Sequence, residues 1–189
     1  ESVNVHEDIK LGLPSRDKYI ENYKETLRNL KEAGIKVVCY NFMPIFDWTR
    51  SDLAKELEDG STTLSYDENV VEKIDPEEFV KSIEDDSDGF TMPGWEPERL
   101  AELKDLFKKY ENVTQEDLWD NLEYFLKEII PVAKECDIKM AIHPDDPPWP
   151  IFGLPRIITS RESVERLCKL VDNKYNGLTL CSGSFGSGG

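Results

Sequence analysis

The stretch Ile138-Lys139-Met140-Ala141-Ile142-His143-Pro144-Asp145-Asp146-Pro147-Pro148 reads as a short buried strand that runs straight into a polar loop stiffened by prolines. On its amino-terminal side, Leu118 to Cys136 carries Leu118, Leu122, Phe125, Leu126, Ile129, Ile130 and Ala133 at helical spacing. Pro131 falls inside that helix and is expected to kink or break it. On the carboxyl-terminal side, Ser163 to Val171 reads as a second helix, and Gly177-Leu178-Thr179-Leu180 as a strand ending at Cys181. Further upstream the order is the same. Lys18 to Ala33 has Tyr19, Ile20, Tyr23, Leu27 and Leu30 on one face and stops at Gly34. Ile35 to Tyr40 follows as a strand rich in β-branched residues. Helix, short link, buried strand and polar loop, repeated in this way, indicate parallel βα units. Ser2 to Val5 reads as the tail of a further strand. Residues 52–112 are acidic, with helix starts at Asp75-Pro76 and Glu96-Pro97, and are expected to form a helical insertion or cap. The closing Ser182 to Gly189 has the composition of a flexible linker or a phosphate-type loop.

The chain has 189 residues, enough for one domain over 1–189, but short for a complete eight-fold βα barrel, which takes about 250. Its formal net charge is −16. That balance, with no basic cluster interleaved with aromatics, argues against nucleic acid and against an anionic membrane surface. No apolar run approaches the roughly 18 residues that span a bilayer, and the opening residues lack a signal-peptide layout. Cys39, Cys136, Cys168 and Cys181 are scattered without CxxC spacing. A reduced, cytoplasmic protein is expected.

In parallel α/β folds, chemistry gathers at the carboxyl ends of the strands. His143 and Cys181 end two of them and are candidate metal ligands, suited to zinc, iron(II) or manganese(II). A buried thiol at Cys181 and a structural histidine at His143 are the plainer readings of the same residues. Asp145 and Asp146 suit metal binding, acid–base work, orientation of His143, or simply a capped turn. Arg50 and Arg156 are candidates for gripping a substrate carboxylate with two parallel hydrogen bonds. Trp48 and Trp149 offer flat walls for a sugar, and His6 is a candidate for the pocket rim.

The strings Val38-Cys39-Tyr40-Asn41-Phe42-Met43-Pro44 with Asp47-Trp48-Thr49-Arg50, Met140 to Pro148 with Gly153-Leu154-Pro155-Arg156-Ile157, and Gly177 to Ser184 occur in that order. They resemble the signature segments of mannonate dehydratases, and the resemblance runs over essentially the whole chain. It implies a (β/α)8 TIM barrel of the xylose isomerase-like type, of which this chain would be the central portion, apparently incomplete. It implies a hydro-lyase of hexuronate catabolism that converts D-mannonate to 2-dehydro-3-deoxy-D-gluconate. A divalent metal is implied, usually Mn2+ or otherwise Fe2+, with His143 and Cys181 as two of its ligands. Asn41, Trp48, Arg50, Asp145, Asp146 and Arg156 are expected to contact the sugar acid. The resemblance supplies no general acid or base within this chain, and it suggests a homodimer or larger assembly. A metal-dependent sugar isomerase or epimerase, and a non-catalytic fragment, are the alternative readings.

Overall fold

The computed structural model describes residues 1–71 and 97–188. Its elements are α1 (Glu7–Lys10), α2 (Arg16–Glu32), β1 (Val37–Tyr40), β2 (Asp52–Glu56), β3 (Thr62–Ser65), α3 (Glu68–Val71), α4 (Pro97–Tyr110), α5 (Gln115–Cys136), β4 (Lys139–Ile142), α6 (Arg161–Leu170), β5 (Asn176–Leu178) and α7 (Ser182–Ser187). No helix among the described residues is long and apolar enough to cross a membrane.

The parallel βα order is as the periodicity predicts. β1, β4 and β5 form one parallel sheet in the order β1-β4-β5. Cys39 stands beside Ala141, and Ala141 beside Gly177. Side chains alternate across this sheet, as a pleated strand requires. Val38, Tyr40, Met140 and Ile142 are buried in the core, while Cys39 and Ala141 on the opposite face are half-buried. The amino terminus adds a short parallel contact outside β1, where the Val3 amide donates to the Cys39 carbonyl at 2.9 Å and the Cys39 amide to the Glu1 carbonyl at 2.7 Å.

Helix α5 is the main apolar support. Thr114 caps its start in a reciprocal box, in which the Asp117 amide donates to Thr114 Oγ1 and the Thr114 amide to the Asp117 carboxylate. The predicted apolar face is buried, and the helix runs on through Pro131 without a break. It ends at Asp137, whose left-handed backbone (φ 54°) closes the last turn on Ala133 and Lys134. The Asp137 carboxylate also accepts from Lys36 Nζ at 3.0 Å and from the Tyr175 hydroxyl at 3.1 Å. It thereby ties the approach to β1, the end of α5 and the approach to β5 at one point. Helix α2 packs along α5, burying Ile20, Tyr23 and Leu27. Phe125 of α5 stands edge-on to Tyr23 at 5.1 Å and also meets Tyr40 and Phe42.

The structure corrects the expected barrel. Among the described residues, five strands form two open sheets, a parallel sheet of three and an antiparallel pair. Closing a barrel requires a strand partner on both edges and a consistent stagger around the ring. Here β5 ends the strand order of its sheet among the described residues. A second difference lies in 52–112, expected to be helical. Its first part is the hairpin β2–β3, turned at Gly60 with φ +80°. The Asp59-Gly60 pair and the β-branched Thr62-Thr63 are the local signals for that hairpin. The helix start at Glu96-Pro97 is present as α4; the one at Asp75 lies outside the described residues. The closing Ser/Gly stretch forms α7 rather than a linker.

Phe125 is fully buried and touches rings from α2, β1 and the loop after it. Phe125→Ala is expected to destabilise the protein by about 3–5 kcal/mol, with Phe125→Leu costing clearly less, both read from denaturant unfolding.

Candidate active site

The site is built by strand register. The His143 amide donates to the Tyr40 carbonyl at 2.6 Å, and the Thr179 amide to the Ile142 carbonyl at 2.8 Å. These two bonds extend the parallel ladder past the strand ends. They bring the loops beginning at Asn41, His143 and Thr179 to one edge of the sheet, around a pocket of about 480 Å³, within the usual size of a small-ligand site. Of the residues proposed from sequence, Asn41, Trp48, Arg50, Asp146, His143 and Cys181 line it.

His143 Nδ1 lies 2.7 Å from the Pro144 carbonyl oxygen. A carbonyl can only accept, so Nδ1 carries the proton, which leaves Nε2 as the ring nitrogen for a ligand. Cys181 immediately precedes α7 and is half-buried. The Ser184 hydroxyl donates to Cys181 Sγ at 3.3 Å. That bond, with the Ser184 and Gly183 amides, outweighs the opposing burial and the Asp146 charge and holds the thiol below its ordinary range. A stabilised thiolate is the form that binds metal. One pocket therefore offers a tautomer-fixed imidazole and a thiol whose ionisation is eased by its hydrogen bonds. Among the described residues, however, no group of three or more His, Cys, Asp or Glu side chains is placed to hold an ion. The donor pair has the right chemistry for a transition metal but amounts to part of a coordination shell.

Arg50 and Asp146 form a two-pronged pair across the pocket, Nη1 to Oδ1 at 3.0 Å and Nη2 to Oδ2 at 2.9 Å. The Arg50 guanidinium also lies 5.3 Å from the Trp48 ring centroid, and Trp48 pairs by backbone with Asp146. Three of the expected substrate contacts thus form one braced wall. Met43 joins it, its Sδ accepting from the Asp146 amide at 3.3 Å.

Asp145 and Arg156 lie elsewhere. Both are fully buried in the core and neither lines the pocket. Asp145 Oδ2 accepts from the Ile157 and Ile158 amides at 2.6 and 3.1 Å. Arg156 Nη1 donates to the Phe46 carbonyl at 3.2 Å. Burial pushes the Asp145 carboxyl up against the opposing pull of Arg156 and the two amides. Burial likewise pulls the Arg156 guanidinium down against the charges of Asp145, Asp47 and Asp146. These two residues hold loops together beneath the pocket. Trp149 donates from its indole to the Tyr66 hydroxyl at 3.3 Å and does not line this pocket. His6 caps α1, its Nδ1 accepting from the Asp8 amide at 3.1 Å, and stacks on Tyr19 at 3.5 Å between centroids.

Sequence reasoning missed Cys39, Asp47, Ser2, Asn4 and Leu64, all of which line the pocket. The two-residue period of β1 was the available signal for Cys39, since it must face away from Val38 and Tyr40. Leu64 comes from the hairpin, which no local pattern links to the parallel sheet.

Comparison with known proteins gives one answer. The profile of the family described as "D-mannonate dehydratase (UxuA)" matches residues 1–188. The chain is 65% identical over 187 residues to the mannonate dehydratase of Geobacillus thermodenitrificans, covering 99% of this chain and 50% of that protein. It is 63% identical over 187 residues to the mannonate dehydratase of Thermotoga neapolitana, covering 99% of this chain and 52% of that protein. Among solved structures, the crystal structure of mannonate dehydratase from Streptococcus suis serotype 2 superposes with a TM-score of 0.83 at 50% identity, covering 98% of this chain and 48% of that one. The chain spans about half the length of the curated relatives it matches. With the family profile matching residues 1–188 and a pocket lined by His143 and Cys181, the chain belongs to the mannonate dehydratase family.

Proposed function

We propose that the whole protein is a carbon–oxygen lyase that dehydrates D-mannonate to 2-dehydro-3-deoxy-D-gluconate in hexuronate breakdown. Family membership supports the reaction. The observation in this chain that carries it is the pairing of His143 and Cys181 on one pocket, with His143 Nδ1 engaged by the Pro144 carbonyl and the Cys181 thiol held below its ordinary range. We propose both as ligands of a divalent ion, Mn2+ or Fe2+, with the remaining ligands supplied from outside the described residues. Such an ion, when bound, polarises a substrate oxygen and offsets negative charge that develops beside the carboxylate.

This chain's own residues do the rest of the proposed work by position. Pro144 fixes the imidazole tautomer, and the Ser184 hydroxyl lowers the pKa of the Cys181 thiol. Asn41, Trp48, Arg50 and Asp146 form the wall against which the polyol lies. Arg50 is already gripped by Asp146 and its Nη1 also donates to the Thr49 carbonyl, so its charge is partly neutralised before substrate arrives. The volume of about 480 Å³ suits a six-carbon acid. Asp145 and Arg156 enter this reading as supports of the wall. No residue of this chain is assigned as general acid or base. Four free cysteines and the lack of a candidate membrane span among the described residues support a cytoplasmic setting. A homodimer or larger assembly belongs to the same reading, on family grounds.

In the whole protein, Cys181→Ala is expected to lower bound metal and D-mannonate dehydration together, by elemental analysis and product assay on one preparation. Full turnover at full metal occupancy would sink the assignment. Arg50→Lys keeps the charge but breaks the two-pronged grip on Asp146. It is expected to raise KM by about tenfold, roughly 1.4 kcal/mol of binding, while metal content stays at the wild-type level.

A further inference from the structure

The loop after β1 supplies Asn41, Met43 and Asp47 to the pocket and leads into Trp48 and Arg50. Its backbone is held by a buried ion pair that lines no part of that pocket. Glu7 and Lys10, both in α1, are buried, and Lys10 Nζ donates to Glu7 Oε1 at 2.7 Å. Each partner also grips the loop. Lys10 Nζ donates to the Met43 carbonyl at 2.8 Å, and the Ile45 amide donates to Glu7 Oε2 at 3.3 Å. Tyr110, at the end of α4, completes the cluster, its hydroxyl donating to the same Oε2 at 2.6 Å.

Between the two grips the chain turns through Pro44, and Ile45 adopts φ +60°. A β-branched residue rarely takes that left-handed conformation unless its surroundings fix it. Burial pushes the Glu7 carboxyl up, but the charge and hydrogen bond of Lys10, with Tyr110 and the Ile45 amide, outweigh it and hold it ionised. A buried ion pair contributes little stability over an apolar pair of the same volume. Specific positioning of the backbone is a better account of this one, because each charge also makes a hydrogen bond to the backbone of the same loop.

Resting on the mannonate dehydratase reading, we infer that Glu7 and Lys10, braced by Tyr110, are positioning residues that set the substrate-side wall of the active site through the Met43 and Ile45 backbone. The role is assigned to the wall and not to the metal, since the side-chain hydrogen bonds of Glu7 and Lys10 run to each other, to the Met43 and Ile45 backbone and to Tyr110, and not to His143 or Cys181.

The test uses the whole protein and the double variant Glu7→Met/Lys10→Met, which removes both loop grips without leaving a lone buried charge. Amide exchange over residues 41–48 is expected to quicken by about tenfold or more, with exchange in β4 unchanged. KM for D-mannonate is expected to rise by about tenfold, with kcat held within about threefold and Mn2+ affinity unchanged. Unchanged exchange over 41–48 overturns the clamp whatever the turnover. Quickened exchange with an unchanged KM, or with weakened Mn2+ binding, overturns the positioning role. A wild-type protein inert towards D-mannonate sinks the functional reading, and quickened exchange then still upholds the clamp. If the double variant fails to fold, Glu7→Gln/Lys10→Met keeps an acceptor for Ile45 and Tyr110 and loses the Met43 grip, and the same comparisons decide.

Discussion

The parallel pairing of β1 with β4 is the constraint on which the rest of the structure depends. It fixes Tyr40 beside Ile142, and the next bond of the ladder sets the His143 amide on the Tyr40 carbonyl. A slip of one residue would turn Met140 and Ile142 out of the core and carry Ala141 into it. The apolar face of α5 guards against that slip, because only the observed register gives Phe125 the rings of Tyr40 and Phe42 to pack against. Register, core packing and the meeting of three loops are therefore one event seen at three scales.

What could be read from sequence was what local periodicity encodes. The α2, α5 and α6 helices and the β1, β4 and β5 strands follow from apolar spacing and from stops such as Gly34. Pro131 shows the limit of local rules, since a helix buried along one face is held by its packing and continues through a residue that would end it in isolation. Barrel closure lay beyond that reach, because it depends on partners at both sheet edges and not on any segment's pattern. The paired carboxylates and arginines show the same limit inside the site. Asp145 and Asp146 are neighbours in an irregular loop with no period to sort them. One accepts amide bonds within the core, and the other faces the pocket and holds Arg50. Arg50 and Arg156 divide in the same way.

The electrostatic design of the pocket follows from that division. Among the described residues its one lining arginine, Arg50, is already engaged by Asp146, and Asp47 adds negative charge nearby. An anionic sugar acid would meet little free positive potential from these residues. A divalent cation bound in this pocket would supply the positive charge that a carboxylate needs.

Asp137 sits at the opposite end of the sheet from the pocket and joins Lys36, Tyr175 and the last turn of α5. The fastening of the strands and the fashioning of the reaction chamber are thereby assigned to separate poles of the molecule. A substitution at the Asp137 junction would therefore loosen how the strands are fastened while leaving the pocket loops, at the far ends of those strands, with their own hydrogen bonds.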